Sequence, residues 1–409
     1  MKILTKSLFA SLLAASALVG CTSDEDVNPS NEVNPVIIPA EVADGSSRFA
    51  FNFLHNLQKT QPEDNFFVSP LSLHMALGML LNGAESETAQ EIQKSLEMQG
   101  VSMADLNKAY QTLINDLPVA DSKVTLGLAN SIWYKTGFNV SPDFQSVLRD
   151  SFHAEITGLP FNAAAVGRIN QWASDKTNGK IKKVIEQIQA DHVMFLLNAL
   201  YFKGDWKAKF EPKETADAPF TLEDGTVKTV KMMNVKGAFT TAGDATYSAV
   251  KLPYGNGQFS MTILLPKGSA TIDGILSGLD ADEWKTITSM TNTSNIKVGL
   301  PRFKLEYSAL LKGTLMQMGI KRAFSNGAEF GKINRDTGLK VDFVKQDTYL
   351  GIDEKGTEAA AVTSIGMSTT SWGPEEPKFI CDRPFGIIIS ENTSNTILFM
   401  GRIKNPDSK

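Results

Sequence analysis

The chain of 409 residues carries only two cysteines, Cys21 and Cys381, and only four histidines, His55, His74, His153 and His192. Two cysteines that need different explanations exclude a disulfide framework, and the apolar flank of Cys381 reads as a buried, inert thiol. The histidines form no H-E-x-x-H motif and no tight His/Cys cluster, so no metal site is expected. No G-x-S-x-G elbow and no phosphate-binding glycine loop occur, and Gly255-Asn256-Gly257 sits between strand-like runs as a hairpin turn. No two acidic residues stand out as an acid/base couple, so the protein is expected not to be an enzyme and to need no cofactor. There is no lysine/arginine stripe and no basic tail, and the formal net charge is −5, which argues against nucleic acid as a partner. No internal repeat, low-complexity block or linker interrupts residues 40–409, so one large domain is expected although the length alone would suggest two or three.

The one long apolar stretch, Leu8 to Val19, is too short to span a bilayer and follows Lys2 and Lys6. Residues 1–20 therefore read as a signal peptide. Leu18-Val19-Gly20-Cys21 resembles the lipobox of bacterial lipoproteins, which implies that Cys21 is lipidated and becomes the mature N-terminus. Loss of the two lysines takes the net charge to about −7. Ser23-Asp24-Glu25-Asp26 resembles the surface-export signal of Bacteroidetes lipoproteins, which implies an outer-membrane, surface-exposed location. Residues 21–39 are polar and contain Pro29, Pro35 and Pro39, the composition of a flexible tether.

Within residues 40–409, Phe49, Phe53 and Leu57 recur at helical spacing, and Ser69-Pro70 caps and opens a second, almost wholly apolar helix. Val124 to Ile132 alternates like a strand, Asn170 to Ile188 reads as a helix interrupted at Asn178-Gly179, and Phe195 to Phe202 reads as a doubly buried strand. Two strands flank the Gly255 turn, Leu310 to Met318 is a helix, and Gly386–Ser390 and Thr396–Met400 are short apolar strands. Helices and strands mix without a βα beat, so the fold class is α+β.

One segment fits no core element. Glu354-Lys355-Gly356-Thr357-Glu358-Ala359-Ala360-Ala361-Val362-Thr363 continues from the strand Tyr349–Ile352 and then stays small and polar through Ser371. A segment exposed in one state and inserted into a sheet in another needs small side chains, because large ones would jam against strands packed at native density. Gly356 would supply hinge freedom in φ. Thr357, Ala359, Ala361, Thr363, Ile365 and Met367 would face the core after insertion, and a one-residue slip would bury Glu358 instead.

Glu354-Lys355-Gly356-Thr357-Glu358-Ala359-Ala360-Ala361 resembles the hinge of inhibitory serpins. The resemblance extends to Asn65–Ser72, Asn198–Trp206, Phe324–Ala328, Asp382–Phe385 and Phe399–Arg402, and covers roughly residues 43–406. It implies three β-sheets, eight or nine helices, an exposed reactive-centre loop and a metastable native state. It further implies a monomeric inhibitor of serine-type proteases, held at the membrane by its lipid anchor alone. The target protease would acylate itself on the loop, and insertion of about fourteen residues, spanning roughly 46 Å, would carry it off. The rival is a non-inhibitory or substrate-like serpin serving as a surface binding protein, which the hinge composition of Glu354, Gly356, Thr357, Ala359 and Ala361 opposes.

Two positions depart from the family pattern. The shutter, formed by Ser69, Ser72, Asn198 and a histidine in most members, has Gln346 in the histidine's place. Glutamine both donates and accepts, so it is expected to keep the link to Ser72 and Asn198 without pH sensitivity. The bait is also unusual. Spacing from Glu354 places the reactive bond at Thr370–Ser371, spacing back from Lys378 places it at Ser371–Trp372, and the bulk of Met367 favours Met367–Ser368, with Thr369 between them. No lysine or arginine lies between Thr357 and Trp372, so elastase-, chymotrypsin- or subtilisin-like targets are expected and trypsin-like ones are not.

Overall fold

The computed structural model describes residues 33–62, 65–336, 338–357 and 377–407. Cys21, Ala359, Ala361 and the bait residues Met367, Ser368, Thr369, Thr370, Ser371 and Trp372 lie outside them. Nine α-helices fall among the described residues: α1 (Ala40–Thr60), α2 (Pro70–Gly83), α3 (Ser86–Ser95), α4 (Met103–Asp116), α5 (Pro142–Phe152), α6 (Ala163–Lys176), α7 (Ile272–Gly278), α8 (Ala281–Ser289) and α9 (Lys312–Gln317). The strands are β1 (Phe66–Val68), β2 (Val124–Lys135), β3 (Glu155–Leu159), β4 (Met194–Asp205), β5 (Ala216–Thr221), β6 (Val227–Gly243), β7 (Tyr247–Pro253), β8 (Phe259–Pro266), β9 (Thr293–Pro301), β10 (Phe303–Leu310), β11 (Lys345–Ile352), β12 (Gly356–Thr357), β13 (Lys378–Ile380), β14 (Phe385–Glu391) and β15 (Ile397–Ile403).

The strands form a six-stranded sheet, in the order β10-β11-β12-β4-β2-β3, and a nine-stranded sheet, in the order β1-β15-β14-β8-β7-β6-β9-β13 with β5 on β6. The expected third sheet is not separate. Strand β6 runs seventeen residues, pairs with β9 from Met232 to Thr240 and with β7 from Thr240 to Gly243, and so welds two ladders into one. Strands β8, β14 and β15 are buried at every position, which is why they read as unbroken apolar runs rather than alternating ones.

Helix α2 forms as the sequence dictates. Pro70 opens it, and the Ser69 side chain accepts the Ser72 N–H at 3.1 Å. Its apolar residues then bury almost all round, and its N-terminal end lies against the six-stranded sheet.

Two local expectations are corrected. The helix expected over Asn170–Ile188 ends at Lys176, where the Thr177 hydroxyl donates back to the Ala173 carbonyl at 2.7 Å. Asn178 and Gly179 then take left-handed conformations, with φ of 49° and 77°. The Asn170 side chain accepts from Val184 N and Ile185 N at 2.8 and 3.0 Å, holding the return segment in irregular form. The expected tether over 21–39 is also not free along its whole length. Asn34 N donates to Gln258 Oε1, Val36 N donates to Thr393 Oγ1 at 2.9 Å, and Val36 is buried. Cys381 is fully buried, and burial pushes its thiol pKa up, as an inert core cysteine requires.

Candidate functional site

The expected hinge begins where β11 ends. The Asp353 side chain accepts from Lys355 N at 2.9 Å and Gly356 N at 3.3 Å, and Asp353 N donates to the Gly356 carbonyl at 3.0 Å. This turn reverses the chain at once, so Gly356 and Thr357 return as β12 between two neighbours. Thr357 lies opposite Ile352 of β11 on one side and Gly204 of β4 on the other, while Gly356 lies opposite Asp205.

Three carbonyls of the turn are bonded from the far side. Trp206 donates from its indole to Asp353 O and from its backbone N to Lys355 O, at 2.9 and 2.8 Å, and Phe210 N donates to Glu354 O at 3.1 Å. The Thr357 hydroxyl pairs with the Tyr254 hydroxyl at 2.6 Å, and the Tyr254 ring stacks on Trp206 with centroids 4.5 Å apart. Thr357 is buried, on the side expected of a core-facing hinge residue. Sequence reasoning gave Trp206 no hinge contact and passed over Tyr254. Nothing in a local pattern signals a contact between residues 357 and 254.

Gly356 is required here, but for a different reason from the one expected. It is not among the glycines with positive φ. A Cβ on it would lie 1.9 Å from the Gly204 carbonyl oxygen, so what glycine supplies is close backbone approach and not φ freedom.

Two adjacent carboxylates are buried at this turn. Glu354 is 5 % exposed, accepts from the Thr215 hydroxyl at 2.9 Å and lies 3.4 Å from Arg302. One oxygen of Asp353 has no partner among the described residues, and burial, helped by the Glu354 charge, raises its pKa against the pull of the two N–H donors. Its charged form therefore costs native stability. That cost is absent below the ordinary carboxylate range and is fully present once pH passes the raised pKa. Asp353→Asn should accordingly gain in thermal stability over the uncleaved wild type as pH rises from about 4 to about 7. A gain that shrinks over that range would contradict the assignment.

The shutter residues also come together. Gln346 accepts from Ser69 N and donates to Ser69 O, both at 2.9 Å, while the Ser72 hydroxyl donates to Asn198 Oδ1. Asn198 in turn donates to Asn130 Oδ1 at 2.7 Å. The expected link from Gln346 to Ser72 and Asn198 is thus indirect. The glutamine amide fits both backbone groups at the start of α2, and α2 relays the connection from β11 to β4.

Beyond β12, no ladder joins β4 to β11 among the described residues. A cavity of about 450 Å³ lies there, lined by Ser72 and Leu77 of α2, Asn198 and Leu200 of β4, and Gln346 and Thr348 of β11.

Gly356 and Thr357 thus sit, in an α+β fold, between two strands that no other ladder joins among the described residues. Residues 44–406 match the family described as serpin (serine protease inhibitor). The leukocyte elastase inhibitor of Bos taurus is 33% identical over 380 residues, covering 90% of this chain and all of that one. Iripin-2 of Ixodes ricinus is 33% identical over 372 residues, covering 89% of this chain and 93% of that one. Among solved structures, the native state of the thermophilic serpin tengpin superposes with a TM-score of 0.82 at 29% identity, covering 91% of this chain and 96% of that one. The chain belongs to the serpin family.

Proposed function

We propose that this serpin inhibits serine-type proteases as a suicide substrate, by drawing its cleaved loop into the gap between β4 and β11. The observation that carries the reading is the placement of Gly356 and Thr357 as the first strand pair inside that gap. Serpin loop insertion is a recognised case of β-strand addition. Continuing the Thr357 register brings Ala359, Ala361, Thr363, Ile365 and Met367 to the core side in turn. Thr363 then arrives between Gln346 and Asn198, where its hydroxyl meets the shutter amides. Met367 arrives opposite Met194, the first residue of β4. The small residues come early, where the gap borders the packed core, and the bulkier Ile365 and Met367 come last.

The relatives' names support elastase-like targets, and so does a bait with no lysine or arginine between Thr357 and Trp372. The reactive bond is assigned to Thr370–Ser371, with Met367–Ser368 and Ser371–Trp372 as the neighbouring alternatives. Incubation with elastase or subtilisin should give an SDS-stable complex, and mass spectrometry of the released C-terminal peptide should locate the bond. Trypsin should give no such complex through this loop. Cleavage by all three with no complex and no gain in thermal stability would mark a substrate-like serpin and sink the inhibitor reading.

Lipidation of Cys21 would hold the inhibitor at the outer membrane, its body fastened to the tether through Asn34 and Val36. Labelled fatty acid should enter the wild-type chain and not Cys21→Ala; equal labelling of both would contradict the anchor.

A further inference from the structure

The gap between β4 and β11 has side-chain contacts across its foot. Asp342 and Phe343 lie just before β11, and His192 lies just before β4. His192 Nε2 is 3.1 Å from Asp342 Oδ2. Gln189 N donates to His192 Nδ1 at 3.1 Å, so Nε2 is the nitrogen that donates to the carboxylate. The Phe343 ring lies 6.0 Å from both Phe195 of β4 and His192, and His192 stands edge-on to Phe195 at 5.3 Å and 87°. Ile352 and Gly204 share one row of the sheet through Thr357, and counting nine residues back from each, past the start of β11 on one side and along β4 on the other, gives Phe343 and Phe195. An entering strand would have to occupy that row.

We propose that Phe343 and Asp342, closing on Phe195 and His192, form a clasp that holds the foot of the gap shut, and that its opening limits the rate at which a strand fills the lower half of the sheet. The proposal rests on the insertion reading above and adds the positioning residues that pace it. The ring contacts join the small apolar cluster under α6, with Trp172 and Ile169, so the clasp lies on the α6 side of the sheet. The hydrogen bond reaches solvent through the exposed Asp342, where such a pair is weak. The rings supply the larger part. Together they resist separation while remaining open to a strand that has already zipped past the shutter.

A peptide with the sequence of residues 358–370 probes strand entry below β12 without any protease. Its rate of incorporation into the uncleaved protein, followed by native gel, should rise about 3-fold in Asp342→Ala and about 5-fold in Phe343→Leu. Asp342 is exposed and Leu keeps the Phe343 site filled, so both variants should fold. In a His192→Ala background, Asp342→Ala should have no further effect, because its partner is gone. Wild-type rates in both variants, or an equal acceleration by Asp342→Ala with and without His192, would overturn the clasp. Wild-type protein that takes up no peptide would remove both the insertion reading and the clasp. Faster uptake in the variants alongside no elastase complex would leave the clasp standing and reject trapping alone.

Discussion

Thr357→Arg should turn the protein from an inhibitor into a substrate. Thr357 is buried between Ile352 and Gly204, with its hydroxyl on Tyr254. An arginine there would put its charge behind the sheet, where an unpaired buried ion costs several kcal/mol even after relaxation, so β12 should leave the gap in the uncleaved protein and the loop must bring the charge back in on insertion. Taking about 3 kcal/mol of that cost at the insertion barrier slows entry of the loop more than about 100-fold. Deacylation then wins the race. The bond should be cut at the wild-type rate, the stoichiometry of inhibition by elastase should rise steeply, and free protease should reappear. Trapping at the wild-type stoichiometry would mean that trapping does not need residue 357 in the sheet.

Gly356→Ala should act one residue earlier by a steric route. The added methyl would lie 1.9 Å from the Gly204 carbonyl oxygen and 2.9 Å from the Asp205 Cα. Both contacts are backbone atoms of β4, which is itself paired along its length to β2, so little can give. The two-residue strand β12 should leave the gap, and with it the Thr357–Tyr254 bond. Overpacking of this kind typically costs about 1–3 kcal/mol, which corresponds to roughly 5- to 150-fold slower insertion and hence a raised stoichiometry of inhibition. The substitution would be expected to do little if Gly356 mattered only for φ, since its φ is not positive and alanine tolerates ordinary extended backbone. An inhibition assay on Gly356→Ala therefore separates the two explanations of the same glycine.

The parts of this fold that were legible in the sequence are those set by neighbours in the chain. The start of α2 followed from Ser69 and Pro70 because a cap and a first-turn proline are local devices. The hinge stood out because a run of Ala, Thr, Ser and Gly next to a regular strand is an anomaly of composition. Contacts across the fold were not legible. Asp353 and its orphaned oxygen, Tyr254 beneath Thr357, and Arg302 beside Glu354 depend on strands far apart in sequence meeting at one turn. The irregular return after α6 was misread for a related reason, since Asn170 stops it from continuing as helix by bonding residues 184 and 185. Gln346 bonds the start of α2 and not the Ser72 and Asn198 side chains expected for it. Its amide meets the Ser69 backbone, and side-chain identity alone cannot choose between backbone and side-chain acceptors.

These observations converge on one physical claim, that the gap between β4 and β11 is a receiving site whose register is already fixed by Thr357. Hydrogen exchange on the elastase-cleaved protein tests it most directly, because backbone amides enter a ladder only if the segment becomes a strand. The claim predicts that amides of residues 359–367 become strongly protected after cleavage, and that β4 and β11 gain protection with them. Amides of 359–367 that exchange as fast after cleavage as before, with β4 and β11 unchanged, would contradict it.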